Sequence, residues 1–134
     1  MLGGEQNSAR EQSPRAGGGL ALVLEDNLLI AMDAEDQLRD LGFAECMAAA
    51  GVARALELVA THDFAFALLD INLGDESSAA VAEALRARGV PFVLASGYGE
   101  DGATDPRFAG VPVIAKPYTA AEIGAALEHW RGPS

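Results

Sequence analysis

The chain has 134 residues, half of them hydrophobic, with 20 acidic against 9 basic side chains and a formal net charge of −11, a size that suits one compact domain with a single real core. A sequence pI near 4.4 and the lack of any run of Lys or Arg exclude the cationic footprint that nucleic-acid backbones and anionic lipids require, so neither nucleic acid nor membrane is expected as a partner. Nothing approaches the roughly 18 consecutive apolar residues of a membrane span, the first twenty residues lack the order of a signal peptide, and Cys46 is the only cysteine, which excludes an internal disulfide and fits a reducing cytoplasm.

The stretch Met1 to Gly19 is rich in Gly, Ser, Gln and Pro, has no apolar periodicity and is expected to be a disordered extension. Its two acids and two bases cancel, so the whole net charge belongs to residues 20 to 134. Leu20 to Leu24 is a continuous apolar run, as in a strand covered on both faces. Asn27 can cap a helix running to about Leu41, with Ile30, Ala34, Leu38 and Leu41 on one stripe, and Gly42 ends it. Phe43 to Met47 reads as a weaker edge strand, followed by a helix from about Val52 to Thr61. Phe64 to Leu69 is the strongest buried-strand signal and runs directly into Asp70. Asn72 to Asp75 reads as loop, and Ser77 to Arg88 as a helix with Ser77 as its cap and Gly89 as its end. Pro91 to Ala95 is a fourth strand, ending at Ser96. Gly97 to Gly110 holds four glycines and a proline, which predicts a loop with at most a short, poor helix. Val111 to Ala115 is a fifth strand, and Thr119 can cap a final helix carrying Ile123, Ala126, Leu127 and Trp130. Five β/α units in strict alternation predict a parallel sheet with helices on both faces, spanning residues 20 to 131 and leaving a short tail at 132 to 134.

Ligands of such sheets bind at the carboxyl ends of the strands. Glu25 and Asp26 follow strand one, Asp70 follows strand three, Ser96 strand four, and Lys116-Pro117 strand five. Lys116 is the only lysine in the chain. Three carboxylates crowded together repel one another unless a hard cation neutralises them. Oxygen-only ligands without His or Cys point to Mg²⁺, which takes a few carboxylates, waters and phosphate oxygens. Ser96 and Lys116 are suited to meet the oxygens of a phosphoryl group, and a carboxylate would be the nucleophile, since acyl phosphates form on Asp.

The order of these motifs, an apolar strand plus Glu25-Asp26, then Leu68-Leu69-Asp70-Ile71-Asn72, then Leu94-Ala95-Ser96-Gly97, then Ala115-Lys116-Pro117, resembles the receiver domain of two-component response regulators. More narrowly, Pro91 to Gly99 is similar to the Phe-x-x-Ala-Thr-Gly-x-Tyr signature of the FAT GUY receivers, mostly stand-alone regulators of alphaproteobacteria, several tied to general stress signalling. The resemblance implies a doubly wound (βα)5 fold with the flavodoxin-like strand order 2-1-3-4-5. It implies that Asp70 accepts a phosphoryl group from a histidine kinase or histidine phosphotransfer protein. Glu25, Asp26, Asp70 and the backbone carbonyl of Asn72 would hold Mg²⁺. Ser96 would move to meet the phosphoryl group, Lys116 would pair with one of its oxygens, and the Lys116-Pro117 bond would be cis.

Two positions depart from the receiver pattern. Val113 stands where an aromatic commonly rotates inward three residues before the lysine, which leaves Tyr98 as a substitute switch or as an ordinary packing aromatic. The glycine-rich segment with Pro106 stands where a fourth helix usually presents a partner surface. Because the chain ends about one helix after Lys116, output is expected through binding of an unknown protein, or as a phosphate sink, with only self-directed phosphotransfer and slow autodephosphorylation. The alternatives are an Mg²⁺-dependent aspartyl-phosphate phosphohydrolase and a flavin-binding electron carrier. The first usually needs an acid where Asn72 stands, and Glu25-Asp26 would repel the flavin's phosphate.

Other motifs carry less. Gly97 to Gly102 matches G-x-G-x-x-G, but Glu100, Asp101 and Pro106 oppose a pyrophosphate site on a helix. Asp70-x-Asn72 begins like a calcium loop that has Asp75 where a glycine is needed. His62 and His129 read as helix-end residues, and Cys46 as a small buried hydrophobe.

Overall fold

The structure, a computed structural model, describes residues 19–73, 76–97 and 106–130, with the backbone alone at Asn72. The expected tail, Tyr98 and most of the glycine-rich segment lie outside the described residues.

Among these residues five strands, β1 (Leu20–Leu24), β2 (Glu45–Ala49), β3 (Phe66–Asp70), β4 (Phe92–Ser96) and β5 (Val113–Ala115), form one sheet in the order 2-1-3-4-5 with every pairing parallel. Four helices alternate with them: α1 (Leu28–Asp40), α2 (Val52–Thr61), α3 (Ala79–Ala87) and α4 (Ala120–Glu128). A 3-10 turn at Pro106–Phe108 stands before β5. The α/β fold is the one expected.

The apolar runs are continuous because both faces are covered. Along β1, Leu22 and Leu24 join Leu58 and Val59 of α2, Val81 and Leu85 of α3, and Leu69 in one core. Ala21 and Val23 join Ala34 and Leu38 of α1, Ile123 and Leu127 of α4, and Phe66 in the other. Successive side chains of a strand alternate between faces, so each face receives every second residue.

Several boundaries differ from expectation: the third strand is Phe66–Asp70 rather than Phe64 to Leu69, and the fifth starts at Val113 rather than Val111, since Pro112 has no N–H to give the ladder. The edge strand starts at Glu45, not Phe43, because Phe43 is drawn into the core, where its ring stacks on Phe66 at 5.5 Å between centroids. Gly42, at φ +110°, makes the turn that permits this. The expected loop after Asp70 contains a short antiparallel pair, Asn72–Leu73 with Glu76–Ser77. The next helix consequently begins at Ala79 rather than Ser77. Ser77 still meets a first-turn donor, accepting from Ala79 N at 3.2 Å.

Candidate active site at the carboxyl edge of the sheet

The chain from β1 goes to one side of the sheet and the chain from β2 returns to the other, so the order reverses beside β1 and β3, and a crevice opens at their carboxyl ends. Glu25 continues the ladder, its N–H donating to Ala49 O at 3.0 Å. Its Oε2 accepts from Asn27 N at 3.0 Å. Asn27 in turn caps α1, its Oδ1 accepting from Leu29 N and Ile30 N at 3.0 and 3.1 Å. Asp26, between these anchored neighbours, is exposed.

Asp70 is the last residue of β3, in register with Ala95, and Ile71 N donates to Ala95 O at 3.0 Å. Ser78, fully buried, turns its hydroxyl onto Ile71 O at 3.2 Å and so fixes the exit from the strand. Lys116 follows β5, its N–H donating to Ser96 O at 2.9 Å, and the Lys116–Pro117 peptide is cis. Ser96 is half-buried and donates its hydroxyl to Gly97 O at 3.3 Å.

These elements bring the predicted charges together. Lys116 Nζ lies 2.9 Å from Glu25 Oε1 and 3.2 Å from Asp70 Oδ2, with both acids buried. Burial alone would lower the pKa of the ammonium; its hydrogen bond to Glu25 and the charge of Asp70 outweigh that, and the net shift is upward. Glu25, Asp26 and Asp70 each offer an oxygen within 4.8 Å of the others. Three carboxylates against one ammonium leave two negative charges, and the donors are all hard oxygens, a set that fits a divalent cation such as Mg²⁺.

Two residues beside the site carry no signal of their role in the sequence. Tyr118 is buried among Val93, Ala95 and Ile123; burial first, then the charges of Glu25, Asp33 and Asp70, hold its phenol far above its ordinary pKa. Gln37 of α1 accepts from Ala120 N, at the start of α4, at 2.7 Å. Leu29, Ile30, Asp33, Lys116, Pro117 and Tyr118 line a cavity of about 320 Å³ beside the acids. Val113, which stands in place of the usual aromatic, is exposed on the sheet's edge strand. Cys46 is half-buried, and burial raises its thiol pKa, with Arg39 opposing and Glu35 adding to that rise.

No protein-family model and no curated protein matches the chain. Solved structures do. SdrG from Sphingomonas melonis Fr1 is 39% identical over 87% of this chain and 98% of its own, with a TM-score of 0.66. A CheY-like response regulator receiver domain from Methylobacillus flagellatus is 26% identical over 83% of this chain and 97% of its own, at 0.69. The receiver domain of sensor histidine kinase PA1611 from Pseudomonas aeruginosa PAO1, with a magnesium ion coordinated in its active-site cleft, is 25% identical over 84% and 97%, also at 0.69. With acids ending β1 and β3, a lysine after β5 and this strand order, the chain belongs to the CheY-like response regulator receiver domains.

Proposed function

We propose that residues 20 to 131 form a receiver that accepts a phosphoryl group on Asp70 in a reaction requiring Mg²⁺. The observation that carries this is the convergence on one crevice of Glu25, Asp26, Asp70 and Lys116, the last 91 positions from Glu25 in sequence and 2.9 Å from it in space. Glu25, Asp26 and Asp70, with the backbone carbonyl of Asn72, would hold the cation, whose chemistry is to neutralise the phosphoryl oxygens in an in-line transfer. The magnesium ion of the PA1611 receiver supports this role.

A carboxylate oxygen of Asp70 attacks the phosphorus of a phosphohistidine. The new O–P bond forms as the P–N bond breaks, and the electron pair leaves with the imidazole nitrogen, which takes up a proton. Lys116 then shifts from Asp70 to a phosphoryl oxygen. Ser96 gives up its bond to Gly97 O to donate to another.

The donor is a histidine kinase or histidine phosphotransfer protein, in keeping with the kinase-borne receiver among the similar structures. Leu28, Leu29 and Met32 of α1 are exposed beside the acids, an apolar patch of the kind that marks protein contact. Output runs through phosphorylation-dependent protein binding or drainage of phosphoryl groups, in the cytoplasm, and the chemistry is confined to self-directed transfer and slow autodephosphorylation. No helix among the described residues is long and apolar enough to cross a membrane. The Pro91 to Gly99 signature and the 39% identity to SdrG support a place among the FAT GUY receivers of general stress signalling. Tyr98 serves as the switch in place of the aromatic absent at Val113, so Tyr98→Ala retains phosphorylation and loses partner binding.

Beryllofluoride is the direct probe, and SdrG is known in a BeF3-activated conformation. Fluorine NMR should show bound beryllofluoride only with Mg²⁺ present, and none in Asp70→Asn. Equal binding by Asp70→Asn excludes Asp70 as the acceptor, and binding independent of Mg²⁺ excludes the metal requirement.

A further inference from the structure

Lys116 has to reach a phosphoryl oxygen on Asp70 from the far edge of the sheet, and its backbone must be placed for that reach. On its N-terminal side the segment is held by the bond from Lys116 N to Ser96 O. On the other side it enters α4, whose first donors need partners. Two are met within the segment: Thr119 N donates to Glu122 Oε1 at 2.9 Å, and Glu122 N donates to Thr119 Oγ1 at 3.2 Å. Ala120 N instead donates to Gln37 Oε1 at 2.7 Å, a partner 83 positions earlier and on another helix.

The surroundings give that bond a mechanical role. Between α1 and residues 116 to 118 lies the cavity of about 320 Å³, so the lysine-bearing segment lacks close packing against α1 there. Further along, α4 meets α1 tightly: a Cβ on Gly124 would stand 3.0 Å from Leu41 Cδ2. The N-terminal end of α4 stands beside that cavity, and the Gln37–Ala120 bond attaches it to α1 there. Gln37 Nε2 also donates to Asp33 Oδ1 at 3.4 Å, and Asp33 lines the same cavity. Helix α1, moreover, is entered through Glu25 and Asp26, so Gln37 registers the lysine against the helix that follows two of the acids.

We propose that Gln37 is a positioning residue for phosphoryl transfer: its side-chain oxygen seats the Lys116–Ala120 segment on α1 and so sets where Lys116 Nζ stands relative to Asp70. The proposal rests on the receiver function above. Because Lys116 is the only lysine, ¹⁵N-lysine labelling yields a single side-chain ammonium resonance that reports on it directly.

The test compares wild type, Gln37→Leu and Gln37→Glu, using acetyl phosphate with saturating Mg²⁺. Gln37→Glu keeps an acceptor oxygen for Ala120 N. Gln37→Leu should phosphorylate about tenfold more slowly, given that a misplacement of 1 Å costs up to about 100-fold. It should also shift or broaden the Lys116 resonance and leave Mg²⁺ affinity unchanged. Gln37→Glu should restore both rate and resonance. A wild-type rate in Gln37→Leu overturns the proposal, as does equal loss in both variants, which would mark a packing role. Failure of wild type itself to be labelled would instead overturn the receiver function.

Discussion

Asp26→Asn separates two effects of one carboxylate. Without metal, Asp26 adds a third negative charge to a cluster in which Glu25 and Asp70 already share the single ammonium of Lys116. At the 4.8 Å limit between ligand oxygens, and in the water-like surroundings of an exposed group, each carboxylate pair repels by ~1 kcal/mol. Two such repulsions are offset by roughly one attraction to Lys116 and by a few tenths of a kcal/mol from the nearby N-terminus of α1. Asparagine should therefore stabilise the metal-free protein by ~0.5–1 kcal/mol, a rise of roughly 2–5 °C in Tm for a domain of this size. With Mg²⁺ the order inverts. A cation at about 100 times its Kd stabilises wild type by ~2.7 kcal/mol, whereas the variant has lost a ligand and gains little. Thermal unfolding of both proteins in EDTA and in Mg²⁺ measures all four values. A variant less stable than wild type in EDTA, or equal Mg²⁺ stabilisation of the two, would refute a shared cation site.

Removing the ammonium acts in the opposite direction. Lys116→Met leaves Glu25 and Asp70 buried without their counter-charge and should cost about 3–5 kcal/mol in urea unfolding in EDTA; a loss below ~1 kcal/mol would count against the pairing. Phe66→Ala removes a fully buried ring stacked on Phe43 and should cost ~3–5 kcal/mol in urea unfolding; a loss below ~1 kcal/mol would contradict the two-faced core. Tyr118 is one of two tyrosines, so ultraviolet titration of Tyr98→Phe isolates its phenol. Its folded pKa is raised, so the native state keeps the proton longer, stability is untouched below about 10, and it declines as pH rises further. A phenolate forming at the ordinary pH in the folded protein would contradict that placement.

How far the sequence foretold the structure depends on which interactions are local. Leu20 to Leu24, Phe66 to Leu69 and Phe92 to Ala95 were legible because burial on both faces leaves a run with no polar interruption. The polar residue ending each run was legible for the same reason, and that placed Glu25, Asp70 and Ser96 at one edge, whereas Lys116 follows the partly exposed edge strand β5. Phe43 misled because its apolar character suits a strand as well as the ring stack it enters. The pair Asn72–Leu73 with Glu76–Ser77 is too short to show any period. Gln37 lies among the polar residues of α1, and nothing near it in sequence marks Ala120 as its partner. Tyr118 reads in the sequence only as the residue after Lys-Pro, although its burial beside the acids is a consequence of the turn that carries Lys116.

The central claim is that Asp70 accepts the phosphoryl group. Its most direct measurement is intact mass after incubation with acetyl phosphate, with Mg²⁺ or with EDTA, on wild type and Asp70→Asn. Wild type should gain the mass of one phosphoryl group with Mg²⁺ and none in EDTA, and Asp70→Asn should gain none in either. The same gain in Asp70→Asn, or an unmodified wild type, would contradict the claim.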